Sequence, residues 1–158
     1  MTRKLVSVFL LGALASAPTT ALAAPSSKAS HASPPSARSE RALVFVLTTG
    51  LEDAQTMTSV FRHAASAAAQ RRLREVAIVV YGRGVQAFDG RLKARPADLV
   101  EHIAKAKRAG VRVILCAQAL DKMGVDRARL DPAPTDIVPN AMTTLVDYVA
   151  RDAAVVSY

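Results

Sequence analysis

Val111-Arg112-Val113-Ile114-Leu115-Cys116-Ala117-Gln118-Ala119-Leu120 runs from an apolar stretch into a helix-forming one, and the chain's only cysteine stands at the junction. Its hydrophobicity is continuous rather than alternating, which marks a strand covered on both faces, as in a parallel sheet. Parallel α/β sheets bind ligands at the carboxyl ends of their strands, so the thiol of Cys116 falls where chemistry is expected.

Outward from this strand the pattern repeats. Ala42-Leu43-Val44-Phe45-Val46-Leu47 and Val76-Ala77-Ile78-Val79-Val80-Tyr81 are two further continuous apolar runs. Between them Met57, Val60, Phe61, Ala64, Ala65 and Ala68 recur at helical spacing, predicting an amphipathic helix from about Glu52 to Gln70. Pro96 opens a second helix with the stripe Leu99, Val100 and Ile103, and Gly110 closes it. Asp136-Ile137-Val138-Pro139 is a short strand, Asn140 an N-cap for a helix carrying Met142, Leu145, Val146 and Val149, and Ala154 to Tyr158 a last strand. Strands alternating with helices predict an α/β fold, a three-layer α/β/α sandwich with a mostly parallel sheet of about five strands. Strand order is not encoded in such periodicity. The stretch Asp121 to Thr135, with Gly124, Pro132 and Pro134, is expected to be a surface loop.

Ahead of the first strand the composition changes twice. Arg3 and Lys4, the apolar run Leu5 to Leu14 and the small-x-small triplet Ala21-Leu22-Ala23 have the form of a secretory signal over residues 1–23. The apolar run is shorter than the roughly 20 residues a membrane span needs, so no membrane anchor is expected. Residues 24–40 are rich in Ala, Ser and Pro and bury too little apolar surface to offset ordering entropy, which predicts a disordered tether. Residues 41–158 remain, enough for one domain with its own core and too few for two. A periplasmic or secreted location follows as the expectation, and in that oxidising setting a single cysteine forms no internal disulfide.

The net charge of +8 includes Arg3 and Lys4, which leave with the signal. The other cations are scattered among acidic residues, Trp is absent and aromatics are few, so nucleic-acid binding is not expected. Gly82-Arg83-Gly84-Val85-Gln86-Ala87 matches a G-x-G-x-x-A dinucleotide fingerprint in form, but Asp89-Gly90 interrupts the helix that motif requires, leaving a glycine-permitted tight turn. His31, His63 and His102 have no metal-ligand spacing. No G-x-S-x-G elbow is present. Glu52 and Asp53 sit in a first helical turn, where negative charge suits the helix dipole. No metal and no cofactor is expected.

If the sheet is parallel, Thr49, Arg83, Gly84, Cys116, Gln118 and Asn140 share one strand-end edge. Cys116 is then the candidate catalytic residue and the others candidate binding residues. Two accounts of Cys116 stand open. A helix N-terminus and the charge of Arg83 favour a reactive thiolate or an anionic ligand, whereas an unpaired cysteine is also among the residues most often simply packed.

Thr48-Thr49-Gly50 before an Ala-rich helix, Val80-Tyr81-Gly82-Arg83-Gly84-Val85, Gly110 to Leu120 and the ending Asp152-Ala153-Ala154-Val155-Val156-Ser157-Tyr158 occur in an order that resembles the DsrE/DsrF-like family. The resemblance is closest to its DsrE/TusD-type sulfur-relay members and covers essentially Ala42 to Tyr158. It implies an α/β/α sandwich assembling as a homo-oligomer, a trimer or hexamer. It also implies sulfur carriage on a cysteine at the end of the third strand, the position of Cys116, which would accept sulfane sulfur from a donor protein as a persulfide and pass it to an acceptor. An export signal departs from the cytoplasmic relays of that family. The resemblance is equally compatible with a non-catalytic oligomeric module that binds a small ligand or a protein.

Overall fold

A computed structural model describes residues 39–158; the signal and nearly all of the tether read from the sequence, with His31, lie outside them. Five strands, β1 (Ser39–Leu47), β2 (Leu73–Val80), β3 (Arg112–Cys116), β4 (Asp136–Val138) and β5 (Ala154–Ser157), form one sheet in the order β4-β3-β2-β1-β5. Every neighbouring pair in it is parallel. The helices are α1 (Ala54–Ala69), α2 (Ala97–Arg108), α3 (Ala117–Lys122) and α4 (Ala141–Ala150).

The chain steps from β1 through β2 to β3 in one direction, and right-handed crossovers put α1 and α2 on the same face. Phe61 of α1 meets Phe88 edge-on, with ring centroids 6.1 Å apart, in that layer. From β4 the chain runs back across the whole sheet to β5, so the same handedness carries α4 to the other face. Val44, Leu47, Met57, Phe61, Ile78, Leu99, Ile103, Leu115 and Leu120 are fully buried in the core between these layers.

Side-chain alternation links the α4 face to the site. Tyr148 of α4 donates to Glu75 of β2 at 2.6 Å, and Arg112 of β3 bonds the same carboxylate at 2.9 Å and Asp136 of β4 at 2.6 Å. Arg112 and Cys116 lie an even number of residues apart, so they project to the same face. Burial, and then the bond to the Glu75 carboxylate, pushes the Tyr148 hydroxyl well above its ordinary pKa.

Three expectations shift. β1 starts at Ser39, inside the stretch read as tether, because Ser39 N–H bonds the Arg72 carbonyl at 2.7 Å and Arg41 pairs with Asp152 at 3.1 Å. The first helix begins as a 3-10 turn over Leu51–Asp53, and α1 proper starts at Ala54, capped by the Asp53 side chain on Thr56 N–H at 3.0 Å. The stretch Asp121 to Thr135 is more regular than a loop: it opens in α3, holds a 3-10 turn at Arg127–Arg129, and bridges to Asp89 through Leu130.

Candidate functional site

Cys116 is the last residue of β3 and the N-cap of α3. It is 5% exposed and lines a cavity of about 250 Å³ together with Tyr81, Gly82, Gln118, Lys122, Met123 and Met142. Its Sγ lies 4.0 Å from the Pro139 carbonyl oxygen, a weak S–H contact. Met123 and Met142 are 36% and 55% exposed, so two soft thioethers flank the way to the thiol.

Asn140 and Gln118, both read from the sequence as site residues, meet at this cavity. The Asn140 Oδ1 caps α4 by accepting from Met142 N–H at 2.7 Å and Thr143 N–H at 3.3 Å, while its Nδ2 donates to Gln118 Oε1 at 3.1 Å. One asparagine therefore fixes the start of α4 and the orientation of Gln118. With Gln118 Oε1 taken, its Nε2 group has no protein acceptor among the described residues and can donate to a bound group. Lys122 is the charged side chain of the lining.

Arg83, Gly84 and Thr49 take other places on the same edge. The Arg83 guanidinium pairs with Glu52 at 2.8 Å and does not line the Cys116 cavity. The Glu52 carboxyl, held mainly by backbone N–H groups including that of Gly50 and also by Arg83, sits below its ordinary pKa. Gly84 is buried, and a Cβ there would stand 2.7 Å from the Leu47 carbonyl oxygen; glycine is needed for close approach of two strand ends rather than for a ligand. Thr49 is half-buried in the loop after β1, where its neighbour Thr48 donates to the Tyr158 carbonyl at 3.3 Å. The glycine-rich segment is a 3-10 helix over Gly82–Phe88, with Gly82 at φ +57°, so it makes the tight turn and does not lead into the α-helix that a dinucleotide pyrophosphate needs.

Tyr81, Lys122, Met123 and Met142 are site residues that sequence reading passed over. Their signal was available in part: Lys122 lies six positions beyond Cys116, under two helical turns on, and is near the thiol only if α3 continues that far. Met142 stands in a helical stripe that reads as core, and nothing in periodicity says that this stripe would be left open. His63 is bonded to the Tyr158 hydroxyl at 2.8 Å, and His102 lies on α2, away from the thiol.

Solved structures share this architecture. The ychN protein of E. coli superposes with a TM-score of 0.60 at 16% identity, over 76% of this chain and 100% of the other. MTH1491 of Methanobacterium thermoautotrophicum, a protein of unknown function, gives 0.58 at 16% identity over the same shares. BT1422 of Bacteroides thetaiotaomicron, also of unknown function, gives 0.56 at 16%, over 74% of this chain and 94% of that one. No curated protein matches the sequence. At such identity these likenesses speak to fold alone. The family model that matches residues 41–158 is more specific: with a five-stranded parallel sheet and a cysteine ending its third strand, the chain belongs to the DsrE/DsrF-like family and has its sulfur-relay-type fold.

Proposed function

We propose that this protein carries sulfane sulfur as a persulfide on Cys116. The observation that supports this reading is a lone thiol at the end of β3, facing a cavity with an uncommitted Gln118 donor and a lysine, in a DsrE/DsrF-like chain. The Cys116 thiol gives its proton to water and its thiolate attacks the outer sulfur of a donor such as thiosulfate. A new S–S bond forms, the donor S–S bond breaks, and sulfite leaves with the electron pair. An acceptor thiolate then attacks the terminal sulfur and Cys116 leaves as thiolate, so neither transfer needs an external oxidant. The carried sulfur stands about 2 Å beyond Sγ, which brings it out from a 5% exposed residue toward the cavity mouth.

The reading extends to place and assembly. Arg3, Lys4, the Leu5 to Leu14 run and Ala21-Leu22-Ala23 support export, with donor and acceptor proteins outside the cytoplasm. Met142, Val146 and Val149 form an exposed apolar stripe on α4, which supports self-association.

Intact-mass spectrometry after exposure to thiosulfate or polysulfide tests the carrier, with Cys116→Ser beside it. The expected result is a gain of sulfur mass that reductant removes and Cys116→Ser lacks. No gain on a confirmed free thiol overturns it. The low exposure of Cys116 favours a second reading, a non-catalytic binding module in which the thiol only packs. Native alkylation separates the two: fast modification near neutral pH belongs to the carrier, and protection until unfolding to the module.

A further inference from the structure

At the amino edge of the sheet, opposite the strand ends that hold Cys116, two concavities of about 290 and 380 Å³ share Ala69 and Ala109 in their walls. They form one groove that runs between the carboxyl halves of α1 and α2 and down to the start of β2. Arg62, His102 and Lys105 line its upper part, and Arg71, Arg74 and Arg108 its lower part.

Most arginines elsewhere in the domain are matched with carboxylates, Arg41 with Asp152, Arg83 with Glu52, Arg91 with Asp89, Arg95 with Asp131 and Arg127 with Asp121, while Arg72 and Arg151 lie apart with no such partner among the described residues. The arginines and the lysine of the groove have no such partner among the described residues. The carboxylate in its wall, Glu75, is already bonded by Arg112 and Tyr148. The ends of α1 and α2 contribute about half a negative charge each, well short of the cations around them. Neither does the dipole explain Arg62, in the middle of α1, or Arg74, in β2.

Arg71 belongs to the same cluster. It ends α1 with φ +53°, a conformation in which glycine is favoured, and α2 does end on a glycine, Gly110 at φ +90°. Asp152 holds the matching position after α4 at φ +59° and pairs with Arg41, so of these helix ends that of α1 sends a cationic side chain into the groove.

We propose that this groove binds a multivalent oxyanion of the phosphate class, several linked or clustered phosphates rather than one. Guanidinium groups grip phosphate oxygens two at a time, and the row from Arg62 to Arg74 suits an extended charge. Small wall residues, Ala68, Ala69, Ala109 and Gly110, let the anion approach the backbone. The ligand is not a nucleic-acid strand, because the groove offers no exposed aromatic face for bases; Phe61 in its wall is fully buried. This site is independent of sulfur carriage on Cys116.

Titration of the whole protein with tripolyphosphate at low salt tests it, read by calorimetry. Saturable binding that weakens with salt is expected. Arg74→Gln is expected to lose about tenfold in affinity, and Arg127→Gln, outside the groove, to bind normally. Arg71→Gly separates binding from folding: it is expected to melt no lower than the parent, since glycine relieves the φ, yet to bind more weakly. No saturable binding, equal loss in Arg127→Gln, or full affinity in Arg71→Gly overturns the proposal. Vesicles of phosphatidylglycerol identify the source. Sedimentation with them that tripolyphosphate reverses assigns the groove to lipid phosphates, and tripolyphosphate binding without sedimentation assigns it to soluble ones.

Discussion

Gly84 has no room for a methyl group: a Cβ would meet the Leu47 carbonyl oxygen at 2.7 Å and Val80 Cγ1 at 3.1 Å. Gly84→Ala is expected to cost about 1–3 kcal/mol as the β1 and β2 ends are forced apart, seen as a lower Tm. Like Glu52 and Asp53, Asp89 contributes to acid behaviour. Its buried carboxylate accepts two bonds from the Arg91 guanidinium at 3.0 Å, which, against the opposing effect of burial, hold its pKa below the ordinary value. Its contribution to stability is therefore complete above the unfolded pKa of about 3.9 and is lost as the pH falls through the lowered folded value. Asp89→Asn is expected to lower Tm at neutral pH and to flatten the loss of Tm on acidification below about pH 4. At this scale the sequence was readable where chain position sufficed: Cys116 ends a strand, Asn140 caps a helix, and Gln118 is two residues from the thiol. It could not place Arg83, because whether that side chain meets Cys116 or Glu52 depends on how the turn over Gly82–Phe88 points it, and it pairs with Glu52.

α4 holds the site by its first turn and the sheet by its last. Asn140→Ala removes the cap and the hold on Gln118 together, with an expected cost of about 0.5–2 kcal/mol by denaturant unfolding and faster alkylation of Cys116 as the cavity loosens. Tyr148→Phe, leaving Glu75 its Arg112 partner, is expected to cost about 1 kcal/mol in the same assay. Each strand and each long helix was visible as an apolar run or stripe because burial on both faces, or on one, dictates residue type at every position. The short α3 was not bounded by the pattern, since two turns give too few repeats to separate it from a loop. β5 is a different case: it was read as a strand, and its Val155 and Val156 are 42% and 38% exposed at the sheet edge.

Across the whole molecule, the open apolar surface lies on α4, β5 and the edge strand β4, where Ile137 is 41% exposed. Val146→Glu, in the middle of the α4 stripe, is expected to shift the sedimentation profile to monomer without lowering the monomer's Tm, because that side chain is 62% exposed in the single chain. The sheet order β4-β3-β2-β1-β5 was beyond sequence reading, since hydrophobic period states how well a strand is covered and says nothing of which strand lies next to it. That order has a kinetic side. β1 pairs with β2 from nearby in the chain, but its other neighbour is β5, so Leu43 to Val46 wait for Ala154 to Ser157. During synthesis β1 keeps a bare hydrogen-bonding edge until β5 emerges, and any extended chain can add to it. A chain cut after Asp152 never covers that edge, and its expected fate is the insoluble fraction.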